Sequence, residues 1–201
     1  CAMGGYFIAL EGLDGAGKTL QAAMLSRKVA SLGLGVLSTA EPTDGPVGKL
    51  IKEMLVAGQA DPRELALLFT ADRYQHLRVE VEPALRKGAV VITDRYLYST
   101  LAYEGAMGVD LDYLRQVNRL ARLPDLAVLI DVPVEVALSR ISSRRALQLT
   151  ERGQLLSSVN RIYREMASRG ELAVVDGKGK PEEVFDRLWG LVGTLLQFKK
   201  P

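Results

Sequence analysis

Residues 12–19 combine glycines, a lysine and a threonine at a spacing that suits phosphate binding. They read GLDGAGKT, follow a short apolar run and fit the pattern G-x-x-x-x-G-K-[ST]. The glycines let backbone N–H groups converge on phosphate oxygens, while the lysine can reach the β- and γ-phosphates and the threonine can bind Mg²⁺. The predicted nucleotide-binding residues are Gly12, Leu13, Asp14, Gly15, Ala16, Gly17, Lys18 and Thr19.

Besides that lysine, three charged residues suit the binding of phosphate or of Mg²⁺. Asp14 would be unfavourable beside phosphate unless it faces a hydroxyl group, a metal ion or water, so we interpret it as a contact of the acceptor substrate or of the magnesium shell. Asp94 follows the strongest strand-type run and could bind Mg²⁺ through water or accept a proton. Arg95 could hold a phosphate in a two-pronged geometry. The alternatives are an exposed loop acid for Asp14 and a strand-end salt bridge for Asp94 and Arg95.

Short apolar runs alternate with helical segments along the chain. The runs are apolar throughout rather than alternating with polar residues, which indicates parallel strands that are buried on both faces. The predicted strands are 6–10, 36–38, 89–93, 126–130 and 173–175, and the predicted helices are 18–32, 47–56, 62–86 (in two or three pieces), 111–122, 134–142, 154–168 and 181–198. We therefore expect a three-layer α/β fold, with a five-stranded parallel sheet flanked by helices and a ligand site at the carboxyl ends of the strands.

Composition excludes several classes of site. The 201 residues include one Cys and one His, which excludes an internal disulfide framework, a Cys-based structural zinc site and a two-His metal site. His76, the single histidine, is interpreted as a polar or capping residue without a chemical role. The net charge of +2 is too balanced for a protein that wraps nucleic acid, so no nucleic-acid partner is expected.

The sequence also predicts the cellular location of the protein and its number of domains. Its apolar stretches are shorter than the ~20 residues of a membrane span, and no signal sequence is visible, so we expect no membrane partner and a cytoplasmic protein. Cys1-Ala2-Met3 is interpreted as a cloning remnant before a start at Met3. Residues 4–201 are expected to form one domain.

Further motifs make the sequence resemble the thymidylate kinases. They are EGLDGAGKT at 11–19, Glu41-Pro42, LFTADR at 68–73 and DRYLYSTLAY at 94–103, with Pro124-Asp125-Leu126 and Asp131-Val132-Pro133 around the fourth strand. They occur in the family's order from residue 6 to about 168, and the 94–103 stretch is specific to that family. The resemblance implies a phosphate-loop NTPase fold and transfer of the γ-phosphoryl group of ATP to dTMP, with Mg²⁺, for dTTP synthesis. It also implies a homodimer formed through helices of the 47–120 region.

The same resemblance implies roles for individual residues. Phe69 would stack on thymine, Arg73 would hydrogen-bond thymine O4, and Thr100 would face N3. Tyr103 would lie under the ribose, and Arg95 would hold the acceptor phosphate. Stacking contributes ~1–3 kcal/mol per base, and a donor aimed at O4 rejects cytosine. For Phe69 and Tyr103 a plain core position is the alternative.

The resemblance gives three sets of site residues. The expected dTMP site is Asp14, Phe69, Arg73, Arg95, Ser99, Thr100, Tyr103 and Glu104. The expected catalytic residues are Lys18, Asp94, Arg95, Arg144 and Arg145, and Thr19 and Asp94 are expected to bind the metal ion.

A basic cluster marks residues 140–153, which we name the lid segment. The lid segment contains four arginines and one acid, Glu151, for a net charge of +3. The arginines are Arg140, Arg144, Arg145 and Arg152. The phosphate loop has no arginine of its own, so we expect the lid segment to close over ATP and supply one. Arg144 or Arg145 is the predicted group on the transferring phosphoryl. A solvated basic helix end is the alternative.

Three positions depart from the pattern of the thymidylate kinases. Ala40 stands where arginine often precedes Glu-Pro, so Arg95 is expected to carry more of the contact with the acceptor phosphate. Glu104 places a carboxyl group where Tyr-Gln-Gly has a neutral amide. Leu149 stands where many lids carry an arginine. We expect these changes to affect rate or selectivity rather than the type of reaction.

Two other functions fit parts of the sequence. A deoxynucleoside kinase would also use a phosphate loop and an Asp-Arg step, although the Arg73 and Arg95 pair favours a phosphorylated acceptor. A regulatory nucleotide-binding module without catalysis is the other alternative, and the intact Lys18, Thr19 and Asp94 argue against it.

Overall fold

A parallel five-stranded sheet forms the centre of the computed structural model, which describes residues 4–58, 60–141 and 146–197. The strand order is β2-β3-β1-β4-β5, and every neighbouring pair is parallel. The strands are β1 (Tyr6–Glu11), β2 (Val36–Ala40), β3 (Val90–Asp94), β4 (Leu126–Asp131) and β5 (Ala173–Asp176). All five predicted strands and the α/β fold class are confirmed. The interpretation of residues 1–3 concerns residues outside those described, and the assignment of one domain stays a prediction.

Helices cover the sheet. They are α1 (Lys18–Ser31), α2 (Pro46–Ala57), α3 (Pro62–His76), α4 (Glu82–Arg86), α5 (Leu97–Ala106), α6 (Leu111–Val117), α7 (Val134–Arg140), α8 (Ala146–Ser168) and α9 (Pro181–Gln197), with a π-helical turn over Leu77–Val81. Among the described residues, no helix is both long enough and apolar enough to cross a membrane.

Two helix predictions were wrong in extent, and one helix was not predicted. Helix α8 begins eight residues before the predicted start at 154, α6 ends at Val117 instead of 122, and α5 is the helix that was missed. The α6 helix stops because Asn118 turns its side chain back, donating a hydrogen bond to the Leu114 carbonyl at 2.9 Å. The predicted 62–86 segment is correct as one run of α3, the π-helical turn and α4.

Strand register determines where the site lies. In the β1–β3 ladder Leu10 is opposite Asp94, and in the β1–β4 ladder Glu11 is opposite Leu129. The interior residues of β1 are fully buried, as a central parallel strand requires. The loop after β1 and the Asp94-Arg95 step therefore meet at one edge of the sheet.

The loop between β2 and α2 packs tightly on the helix that follows it. A Cβ atom added at Gly48 would lie 2.1 Å from the Thr43 carbonyl oxygen. Asp72 of α3 holds the same loop, because its carboxylate accepts hydrogen bonds from the Thr43 N–H at 2.8 Å and from the Thr43 hydroxyl at 2.6 Å. The Glu41–Pro42 peptide bond in this loop is cis.

We predict that Gly48→Ala destabilises the protein although alanine favours helices. Its methyl group would collide with the backbone of Thr43, and overpacking of this kind costs about 1–3 kcal/mol. Gly190→Ala in α9 is the matched control, since a Cβ atom there meets nothing within 4 Å and should add up to about 1 kcal/mol of stability. Urea denaturation of both variants measures the difference. Equal stabilities would contradict the packing argument.

Candidate active site

The phosphate loop follows β1 and leads into α1. Gly12 has φ 141° and Gly15 has φ 81°, a region that side chains rarely adopt. A Cβ atom at Gly12 would lie 2.7 Å from the Ile130 carbonyl oxygen, and one at Gly15 would lie 2.4 Å from the Ala137 carbonyl oxygen. Glycine is therefore required at both positions, because the loop lies directly on the end of β4 and on α7.

Lys18 is buried inside this loop. Its Nζ donates a hydrogen bond to the Leu13 carbonyl oxygen at 2.9 Å. Burial lowers the pKa of Lys18 to about 8, and the nearby positive charge of Arg95 acts in the same direction. A phosphate group beside Nζ would favour the charged form of this lysine.

Thr19 and Asp94 meet at the start of α1. The Thr19 hydroxyl donates a hydrogen bond to Asp94 Oδ2 at 2.5 Å. Asp94 Oδ1 is buried and has no hydrogen-bond partner among the described residues. Hydroxyl and carboxylate oxygens are ligands that Mg²⁺ prefers, so these two side chains fit the ion directly or through water. No cluster of three His, Cys, Asp or Glu ligands occurs within 4–58, 60–141 and 146–197, so phosphate oxygens and water would supply the other ligands.

Arg95 has an unusual backbone conformation. Its φ of 73° is the one positive value at a non-glycine position in the part of the chain that the structure describes. Such a conformation costs of order 1–3 kcal/mol and requires support from its surroundings. The Arg95 N–H donates to the Leu10 carbonyl at 2.9 Å, and the guanidinium group contacts Asp14 Oδ1, the Ser99 hydroxyl at 3.0 Å and the face of the Tyr103 ring at 4.9 Å.

Glu11 is connected to this arginine through Ser99, and it was not among the predicted site residues. Its carboxylate accepts hydrogen bonds from the Tyr96 N–H at 2.9 Å, the Ser99 hydroxyl at 2.6 Å and the Tyr163 hydroxyl at 3.0 Å. Burial raises the pKa of Glu11 to about 7, against the opposing effect of the Ser99 hydrogen bond. Because Ser99 contacts both residues, Glu11 links α5 and α8 to Arg95.

A cavity of about 730 Å³ opens beside the phosphate loop. That volume lies within the range of small-molecule sites. All eight residues of the expected dTMP site line it, together with residues of α2 and α8. Phe69 and Tyr103 are half-buried in the cavity wall, so a plain core position does not describe them.

Arg73 is almost completely buried in one wall of the cavity. Nη1 donates to Asn118 Oδ1 at 2.6 Å, and Nη2 donates to Glu41 Oε2 at 2.7 Å and to the Thr100 hydroxyl at 3.1 Å. Nε is buried without a partner among the described residues. Three of the five guanidinium N–H groups are therefore used, and Nε–H and the second Nη1–H are left. The Thr100 hydroxyl retains a proton and a lone pair for another partner.

His76 contacts the partner of that arginine. Its Nδ1 lies 3.0 Å from Glu41 Oε1 and its Nε2 lies 2.9 Å from the Thr39 hydroxyl. The ring is buried outside the cavity, and its two contacts are those of a buried polar residue. That His76 has no chemical role stays a prediction.

Comparison with known proteins identifies the family of this chain. A sequence model described as thymidylate kinase matches residues 10–188. The chain belongs to the thymidylate kinase family. A probable thymidylate kinase of Pyrobaculum aerophilum is 39% identical over 96% of this chain and 99% of its own length. A probable thymidylate kinase of Pyrococcus horikoshii is 43% identical over 94% and 97%, and a thymidylate kinase of Thermomicrobium roseum is 42% identical over 96% of each chain. Members of this family phosphorylate dTMP to dTDP with ATP.

Within this thymidylate kinase family member, two arginines of the lid segment contact the phosphate loop. Arg152 Nη2 lies 3.7 Å from Asp14 Oδ2, and Arg152 also lines the cavity. Arg140 donates to the Gly15 carbonyl at 3.3 Å. Both belong to the basic cluster visible in the sequence, and neither was among the predicted site residues. Their contacts with the phosphate loop depend on how α8 and α7 pack in the fold, so the sequence alone could not predict them. The predicted residues, Arg144 and Arg145, lie outside the described residues.

We predict that Glu41→Gln strongly destabilises the protein. Loss of the carboxylate would leave the Arg73 guanidinium buried without a counter-charge, which costs about 3 kcal/mol. Asp44→Asn, in the same loop, is the control, because Asp44 forms an exposed ion pair with Lys52 and its loss should not change stability measurably. Chemical denaturation at pH 7 compares the two. A small effect of Glu41→Gln would show that Arg73 does not need this partner.

Proposed function

We propose that this protein transfers the γ-phosphoryl group of ATP to dTMP, forming dTDP and ADP for dTTP synthesis. The observation that carries the proposal is the shared position of Asp14, which belongs to the phosphate loop and also lines the cavity. Donor and acceptor nucleotides bound at these two places would have their phosphates adjacent. Phosphoryl transfer depends mainly on such positioning and on charge stabilisation.

The donor side of the site would hold ATP and Mg²⁺. Backbone N–H groups of the loop and Lys18 would contact the β- and γ-phosphates, and Thr19 and Asp94 would hold the ion. Bound Mg²⁺ supplies charge neutralisation on the phosphate oxygens. The hydrogen bond between Thr19 and Asp94, with Asp94 Oδ1 unpartnered beside it, supports this assignment.

The acceptor side would hold the dTMP phosphate at Arg95. Its guanidinium group can bind two phosphate oxygens at once, which a lysine cannot do. Asp14 already contacts this guanidinium, so an incoming phosphate would displace the carboxylate and leave it near the ribose 3′-hydroxyl or the magnesium shell. Phe69 would stack on the base, and Tyr103 would pack beneath the ribose.

Arg152 is the described arginine of the lid segment best placed to act on the transferring group. It lies at the junction of the phosphate loop and the cavity, where charge develops during transfer. Arg140, in contrast, donates to backbone carbonyls of Gly15, Ala16 and Gly177, which suits a structural support of the loop. The assignment of Arg144 and Arg145 stays a prediction beside this one.

We predict that Arg152→Ala lowers kcat by about 10³-fold, the lower end for arginines that stabilise phosphoryl transfer, with a smaller change in the KM for dTMP. Arg161→Ala on the same helix is the control, because Arg161 forms an exposed pair with Glu165 and should leave kcat unchanged. A coupled assay of ADP release measures both. Full kcat in Arg152→Ala would remove this arginine from the mechanism.

The function itself is tested with a panel of acceptors. The purified protein with Mg-ATP would receive dTMP, dUMP, dCMP, UMP, AMP and thymidine, and dTMP is expected to turn over fastest. Turnover of thymidine without dTMP would instead identify a deoxynucleoside kinase. Tight ATP binding with no turnover of any acceptor would identify a regulatory module.

We also propose that the protein is a homodimer, paired through α2 and α3. Exposed apolar side chains on these helices support the proposal; they are Leu50, Leu55, Val56 and Leu67. Leu67→Glu is expected to produce a monomer in sedimentation analysis, because burial of the carboxylate would oppose pairing. Leu32→Glu, at the end of α1, is the control and should leave the dimer intact. A dimer in both variants would place the interface elsewhere.

A further inference from the structure

Glu104 is a buried carboxyl group whose hydrogen bonding is incomplete. It lies on α5 in the wall of the cavity, is 3% exposed, and its Oε2 has no partner among the described residues. A buried polar atom without a partner costs about 1–3 kcal/mol, so its retention needs an explanation. A bound ligand that completes its hydrogen bonds would provide one.

A second unpartnered atom belongs to a residue of the same cavity wall. Arg73 Nε is buried without a partner, while each terminal nitrogen of that guanidinium already donates, to Asn118 from Nη1 and to Glu41 and Thr100 from Nη2. Residues of the cavity wall therefore offer unpartnered N–H groups as well as an unpartnered carboxyl oxygen. Donors and an acceptor together suit the polar edge of a planar heterocycle rather than an apolar group or a phosphate.

We propose that Glu104 binds the base of dTMP as a neutral carboxylic acid, donating through its O–H and accepting through its C=O. A protonated carboxyl group presents a donor and an acceptor side by side. Thymine presents the complementary pair, with the N3–H as donor and a neighbouring ring carbonyl as acceptor. An ionised carboxylate has no proton to donate and would direct a negative oxygen at that carbonyl. Because this role requires dTMP to be the acceptor, it rests on the proposed function.

The charges around Glu104 favour its neutral form. Burial raises the pKa of Glu104 to about 8, against the opposing effects of Arg73 and Arg95. Each of these cations already has a carboxylate partner, Glu41 for Arg73 and Asp14 for Arg95, so little positive charge remains to stabilise a third carboxylate. The charged and titratable groups that share the cavity wall come from the phosphate loop, the β2–α2 loop, α3, the β3–α5 connection, α5 and α8; they are Asp14, Glu41, Arg73, Arg95, Tyr96, Tyr103 and Arg152.

This protonation state also explains a departure from the family pattern. The Tyr-Gln-Gly pattern described for the sequence reads Tyr103-Glu104-Gly105 in this chain. A neutral carboxylic acid has one donor and one acceptor, as an amide side chain does, so it preserves the hydrogen-bonding pattern. The difference is that the acid can lose its donor with rising pH, whereas the amide cannot.

The test compares dTMP binding to the wild-type protein, Glu104→Gln and Glu104→Met by isothermal titration calorimetry at pH 7 and pH 9. With a pKa of about 8, the neutral fraction of Glu104 falls about tenfold over this range, and the wild-type affinity should fall by about the same factor. Glu104→Gln should show no such loss. Glu104→Met keeps the volume but not the hydrogen bonds, so it should bind at least about tenfold more weakly at pH 7.

Proton uptake gives a second, independent measure. Binding that selects the neutral acid should draw protons from solution at pH 8, visible as a dependence of the binding enthalpy on the ionisation enthalpy of the buffer. Glu104→Gln serves as the reference, because Glu11 and dTMP itself titrate equally in both proteins. An uptake greater in wild type than in Glu104→Gln is the expected result.

Several outcomes would overturn the role of Glu104. They are an equal pH dependence in wild type and Glu104→Gln, equal proton uptake in the two, or unimpaired binding by Glu104→Met. Failure of the proposed function looks different, because the wild-type protein would then neither bind nor phosphorylate dTMP at pH 7. That result would remove the proposed function and the role of Glu104 with it.

Discussion

The parallel pairing of β1 with β3 is the constraint on which the site depends. Its register sets Leu10 opposite Asp94, so the phosphate loop and Arg95 leave the sheet side by side. Arg95 extends the ladder through its N–H bond to the Leu10 carbonyl and then turns into the left-handed region. A slip of one residue would send Asp94 to the opposite face of the sheet and separate it from Thr19.

Buried carboxyl groups connect this sheet edge to the surrounding helices. Glu41 follows β2 and reaches both Arg73 and His76 of α3, while Glu11 ends β1 and holds residues of α5 and α8. Buried charges of this kind persist only when other groups complete their hydrogen bonds. The walls of the cavity are therefore fixed to the sheet by polar contacts as well as by the apolar core, and its shape depends on both.

The position of a residue could be predicted where it follows from a strand end or from a motif. The five strands were predicted from continuous apolar runs. The eight expected dTMP-site residues line one cavity, and their roles toward dTMP stay predictions. Helix α5 escaped detection because tyrosine, serine and threonine are weak helix formers and its packing against α8 and α6 replaces intrinsic propensity. The end of α6 could not be predicted because residues 111–123 contain no glycine or proline, so Pro124 is the first residue in the sequence that signals a helix end. Glu11 and Arg152 acquire their partners only through contacts between distant segments, which no local spacing encodes.

Position 95 can accept few residues other than arginine. Its backbone conformation favours glycine or asparagine, whereas the phosphate chemistry proposed for it needs a guanidinium group. Drift toward a residue that relaxes the backbone removes the cation, and drift to lysine keeps the strain while losing the two-pronged geometry. Selection for stability and selection for phosphoryl transfer therefore favour different residues at position 95. Few substitutions there would satisfy both.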